Sequence, residues 1–130
     1  MKINSKTAKA VADKSSEEFI DVSGIVCHSK IYVIPTHTRK YIGPVRYVNQ
    51  DHEELEMAYA IPILHDGTWG HNVFSGVIMN GTIWDYLANH DAIRQATKEE
   101  RNRYLERVMN SSYKDHVNDQ FRDYIDDWKR

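Results

Sequence analysis

MAYAIPILHDGTWGHNVFSGVIMNGTIWDYLANH, running from Met57 to His90, is where the chain changes from strand-like to helical character. It carries two formal charges, Asp66 and Asp85, which predicts that most of it is buried. Met57 to Leu64 is an apolar run of strand length, and His65-Asp66-Gly67 is a chain-reversing cluster. A hairpin is expected, with a return strand from Val73 to Met79. Alternation places Val73, Ser75, Val77 and Met79 on one face of that strand and Phe74, Gly76 and Ile78 on the other, apolar enough on both sides for a covered strand. Pro62 has no amide hydrogen to give to a ladder and marks an edge or a bulge. Asn80-Gly81 then turns the chain. Thr82 reads as a helix N-cap with Asp85 near the positive helix end, and Ile83, Tyr86 and Leu87 give that helix its apolar stripe.

Upstream of this stretch, β-branched and aromatic segments separated by Ser and Gly predict strands at Phe19 to Val22, Gly24 to His28, Lys30 to Ile34 and Pro44 to Val48. Downstream, the pattern is helical. Thr97-Lys98-Glu99-Glu100 has capping-box spacing, and Tyr104, Leu105, Val108 and Met109 follow at helical intervals. Asn110-Ser111-Ser112 interrupts, and Ser112 reads as the cap of a last helix with Tyr113, Val117, Phe121, Tyr124, Ile125 and Trp128 on one stripe. That stripe suits the domain's own core or a helix-mediated dimer. Strands followed by helices predict an α+β fold: an N-terminal antiparallel sheet of about five or six short strands, then two to three C-terminal helices packed on one face.

The 130 residues, 41% hydrophobic, suffice for a single domain with a real core. Residues 17–130 are expected to form it, after a weakly ordered tail over residues 1–16. A net charge of −2 gives no bulk attraction to nucleic acid or membrane, so any anion binding must be local. One cysteine, Cys27, rules out an intrachain disulfide framework and a cysteine-rich zinc site; it reads as a buried, inert thiol. With no segment of membrane-span length, the chain reads as soluble and cytoplasmic.

Charge is patterned locally. From Val22 to Gln50 there is no Asp or Glu, while Lys30, Arg39, Lys40 and Arg46 are joined by His28 and His37 and interleaved with Tyr32, Tyr41 and Tyr47. Cations that hold phosphates beside rings that stack bases are the chemistry of a nucleotide or oligonucleotide surface. Alternation puts Ile31 and Val33 inward and Lys30 with Tyr32 outward on that face. The plainer account is a solvated sheet face.

The seven histidines match no metal-ligand spacing, so no metal or other cofactor is expected. For acid–base chemistry His65, Asp66 and His71 bracket one turn, although an Asp66 side chain bonded to its own backbone explains the turn as well. Gly67, Trp69, Gly70 and Gly76 suit a loop beside a pocket. The acidic run DHEELE, Asp51 to Glu56, reads as a solvated loop or a patch for a basic partner.

The leading reading is a non-enzymatic binding or regulatory protein, of the phage-type inhibitor or small-ligand-binder kind. It uses Lys30, Tyr32, Arg39, Lys40, Tyr41, Arg46 and Tyr47 to hold a nucleotide or short oligonucleotide and works as a homodimer or higher oligomer. Two alternatives stand beside it: a protein–protein inhibitor without a small ligand, and a hydrolase built on His65, Asp66 and His71.

Overall fold

A computed structural model describes residues 19–20, 24–36, 38–49, 51–80 and 93–130. The expected tail, the helix expected from Thr82 with Asp85, and His37 and His90 lie outside these residues. The elements are strands β1 (Phe19–Ile20), β2 (Ile31–Pro35), β3 (Lys40–Asn49), β4 (Glu54–Ile63), β5 (Phe74–Met79) and β6 (Ile93–Gln95), then helices α1 (Lys98–Met109), α2 (Lys114–Phe121) and α3 (Ile125–Trp128). The six strands form one sheet in the order β1-β6-β2-β3-β4-β5, antiparallel throughout. The fold is therefore α+β, strands first and helices last.

The sheet has two apolar faces. Ile31, Val33, Ile42, Ala58, Tyr59 and Ile61 face the helices, where they meet Tyr104, Leu105, Val108, Val117, Phe121 and Trp128. Tyr32, Ile34, Val45, Leu55, Met57 and Ala60 form a second cluster, against which Ile25 and Cys27 pack. The expected strand over residues 24–28 is instead a turn-rich segment folded onto this second face.

That corrects the orientation of Tyr32. Alternation does place it opposite Ile31 and Val33, but the opposite face is itself covered, and Tyr32 is fully buried. Its hydroxyl accepts the Val26 amide at 2.8 Å, and burial raises its pKa.

The β4–β5 hairpin forms as expected, but β5 is an edge strand and largely exposed, not covered. Two-sided apolarity in β5 therefore does not signal burial. Pro62 sits inside β4 with its carbonyl accepting the Gly70 amide at 2.8 Å. In an antiparallel pair the amide and carbonyl of one residue project to the same side. The missing Pro62 donor thus points past the end of β5, where no ladder bond is lost. A Cβ on Gly70 would come within 2.6 Å of the Pro62 ring, so only glycine fits there.

The strands β3 and β4 lose register twice, between Ile42 and Val45 and again between Val45 and Tyr47. The first irregularity puts Ala58 and Tyr59, consecutive residues, into the same helix-side cluster, with Tyr59 at φ 48°. The Tyr59 carbonyl accepts the buried Tyr104 hydroxyl at 2.8 Å.

The capping box forms as its spacing predicts: Thr97 accepts the Glu100 amide at 3.2 Å and the Glu100 carboxylate accepts the Thr97 amide at 2.9 Å. Glu100 also holds Arg94 of β6 through two bonds of 2.7 and 2.8 Å. Burial alone would raise the Glu100 carboxyl, but the bonds from Arg94 and Thr97 outweigh it and hold the pKa below the usual range. Because the folded-state value is lowered, this stabilisation is present above the ordinary glutamate range and lost as pH falls through the folded value. Glu100→Gln is expected to cost about 1–2 kcal/mol near neutral pH and to flatten the acid limb of the stability curve; urea midpoints between pH 2.5 and 7 check this.

The final helical stripe is bent. Residues 122–124 form a turn between α2 and α3, yet Val117, Phe121, Ile125 and Trp128 are all buried in the helix-side core. The expected cap at Ser112 does not form: α2 begins at Lys114 with Tyr113 at the N-cap and no side-chain cap bond, and the Ser111 hydroxyl oxygen accepts the Tyr113 amide at 3.1 Å in the turn before it. Arg101 closes the chain end by donating to the carbonyls of Ala96, Trp128 and Arg130 at 2.9 to 3.1 Å.

Candidate functional surface

The basic segment is divided by the fold. Pro35 pairs with Lys40 and Ile31 with Pro44, so the two ends of β2 lie roughly 13 Å apart at ~3.4 Å per residue. Lys30 and Arg46 belong to one end, Arg39 and Lys40 to the other. Between them Ile31 to Ile34 are buried. A ligand cannot run along this stretch from one pair of cations to the other.

At the Lys30 and Arg46 end the Arg46 charge is answered, while no ion pair or hydrogen bond holds the Lys30 side chain among the described residues. Register loss at Val45 leaves Arg46 beside Tyr59, with its guanidinium 5.8 Å from the ring centre, 3.3 Å from the Glu56 carboxylate and donating at 3.4 Å to the Ser75 carbonyl. Tyr47 donates its hydroxyl to Glu54, which pushes the phenol up to about 12. Glu54 and Glu56 come from the DHEELE run. A gap of carboxylates in sequence is therefore not a gap in space, because β4 pairs with β3 and returns two acids to it.

The other end differs. Among the described residues no ion pair or hydrogen bond holds the Arg39 or Lys40 side chain. Lys40 pairs with Ile63, Tyr41 with Pro62, and Ala60 with Phe74. Tyr41 and Phe74 meet edge to face, ring centres 6.3 Å apart. Leu64 follows directly on Ile63 and is 40% exposed; Phe74 is 37% exposed. This end thus carries two cations without a carboxylate partner, with Lys40 on the helix side opposite Ile63 and the Tyr41–Phe74 ring pair on the other face of the sheet.

The loop beside them is clamped. The Arg103 guanidinium of α1 stacks 4.3 Å from the Trp69 ring centre, and Arg107 donates to the Gly70 carbonyl. Leu64 donates its amide to the Thr68 carbonyl at 2.8 Å, and Gly67 turns with φ 88°. Asp66 accepts the Thr68 amide at 3.0 Å and the Thr68 hydroxyl at 2.6 Å, bonds that lower its pKa. Its carboxylate is occupied by its own loop. His65 and His71 are exposed, and neither makes a hydrogen bond among the described residues.

Of the residues singled out by sequence, the structure therefore keeps Arg39, Lys40 and Tyr41 at one strand end with Lys40 and Tyr41 on opposite faces, sets Lys30 apart, ties Arg46 and Tyr47 to glutamates, and buries Tyr32. Phe74, Leu64 and the clamp formed by Arg103 and Arg107 escaped sequence reading. Leu64 lies inside the apolar run read from Met57 as strand, and only the end of β4 at Ile63 leaves it exposed. Cys27 is half-buried, and burial raises its pKa. Among the described residues no group of three His, Cys, Asp or Glu is placed to hold a metal ion, and no helix is long and apolar enough to cross a membrane. No family model and no curated protein matches this chain.

Proposed function

We propose that this is a non-enzymatic binding protein that takes an anionic partner at the hairpin end of its sheet. One observation carries the reading: the Arg39 and Lys40 side chains have no carboxylate or carbonyl partner among the described residues, at the strand end where Tyr41 meets Phe74 on one face of the sheet. Unneutralised cations set a local positive field on a chain whose net charge is negative, and rings add desolvated contact area. Lys30, Arg46, Tyr32 and Tyr47 drop out of this smaller surface. The hydrolase reading gains no support, since the Asp66 carboxylate is engaged by Thr68.

The test is native mass spectrometry of protein isolated at low ionic strength from the cells that make it. Wild type is expected to carry an additional mass that Arg39→Glu/Lys40→Glu lacks. A co-purifying mass retained by the double variant would place the binding surface elsewhere. The same spectra report subunit number, which tests the proposed homodimer.

A further inference from the structure

We infer that β5 is the docking edge for a second copy of this chain, whose own β5 pairs with it antiparallel about a two-fold axis and joins the two sheets into one. This rests on the homodimer reading and not on the anionic partner. β5 ends the sheet: it pairs with β4 on one side and, among the described residues, with no strand on the other. Its outward amides and carbonyls form a row of open donors and acceptors, which is the template an added strand uses. Edge strands that stay single are blunted by lysine, proline, an inward charge or a bulge. Phe74–Met79, with the sequence FSGVIM, carries no charge and no proline, and its ladder keeps one register from Leu55–Met79 to Ala60–Phe74. Of the four exposed large apolar side chains among the described residues, two lie on this short strand, Phe74 at 37% and Ile78 at 59%. The occupant follows from the edge's chemistry. Glu56, across from Ile78 on β4, is neutralised by Arg46 at 3.3 Å, so the edge offers no charge for an acidic or basic partner to answer. Its match is an uncharged strand, apolar and open along one side, and β5 of a second copy is such a strand. The opposite edge of the sheet, β1, spans two residues and gives no comparable length to pair with. Pairing β5 with β5 also closes: a two-fold contact uses the same patch on both copies, whereas a head-to-tail one would propagate.

The test is sedimentation velocity of the full chain over a concentration series, with hydrogen–deuterium exchange at both ends of the series. Wild type is expected to sediment as a dimer, and residues 74–79 to exchange more slowly as concentration rises. Ile78→Lys and Ser75→Lys, both at exposed positions of β5, are expected to weaken the dimer at least tenfold, because lysine on an edge opposes pairing. Asp123→Lys, exposed in the turn between α2 and α3, is expected to leave it unchanged. Circular dichroism confirms that the variants fold. A dimer that survives both β5 lysines, or that Asp123→Lys dissociates, would place the interface on another surface and leave the homodimer standing. A co-purifying polypeptide of different mass, lost on Ile78→Lys, would make another protein the occupant. A monomer at every concentration would overturn the homodimer and this interface together, and slow exchange of residues 74–79 in that monomer would show that the chain covers its own edge.

Discussion

Trp128→Ala is expected to cost about 3–5 kcal/mol, the range for emptying an aromatic core site. Trp128 is 1% exposed and packs between Phe121, at 5.5 Å between ring centres, and Tyr104, at 6.5 Å. Its indole N–H donates to the Ser29 carbonyl at 3.0 Å, so the last helix is tied to the segment that precedes β2. Truncation removes the ring contacts and leaves that carbonyl without its donor. Phe121→Ala falls in the same range, since Phe121 touches Tyr59, His28 and Trp128 at once. Urea midpoints within a few tenths of a molar of wild type for both variants would show that the terminal helices are peripheral.

Tyr104→Phe is expected to cost roughly 1–3 kcal/mol, large for the loss of one oxygen, because it leaves a buried carbonyl unsatisfied. The register irregularity at Tyr59 turns that residue's carbonyl toward α1, where the Tyr104 hydroxyl is its donor. The cavity left by the missing oxygen is small, so the effect isolates the hydrogen bond. Burial also keeps the Tyr104 phenol neutral by raising its pKa. Loss of less than 0.5 kcal/mol would mean that the Tyr59 carbonyl finds another donor.

Much of the fold was legible because it rests on local signals. Thr97 and Glu100 meet at the spacing a capping box demands, and Phe121, Ile125 and Trp128 recur at helical steps; both arrangements depend on chain separation alone. What depends on a distant strand was not legible. Tyr32 alternates as expected but lies under Ile25 and Cys27, and sequence period gives sidedness without saying which side is wet. Arg46 has no acid near it in the chain, yet Glu56 reaches it across the β3–β4 ladder. β5 is apolar on both faces and still exposed, because strand order decides which strand is the edge. The proposed surface was therefore half visible: Arg39, Lys40 and Tyr41 from composition, Leu64 and Phe74 only from the strand register.

Hydrogen–deuterium exchange of the intact protein, with and without a cleared extract of the cells that make it, tests most directly whether the hairpin end is the working surface. The account predicts extract-dependent protection confined to residues 36–41 and 64–75, abolished in Arg39→Glu/Lys40→Glu. Protection confined instead to α2 and α3, or to the Arg46–Glu56 end of the sheet, would contradict it.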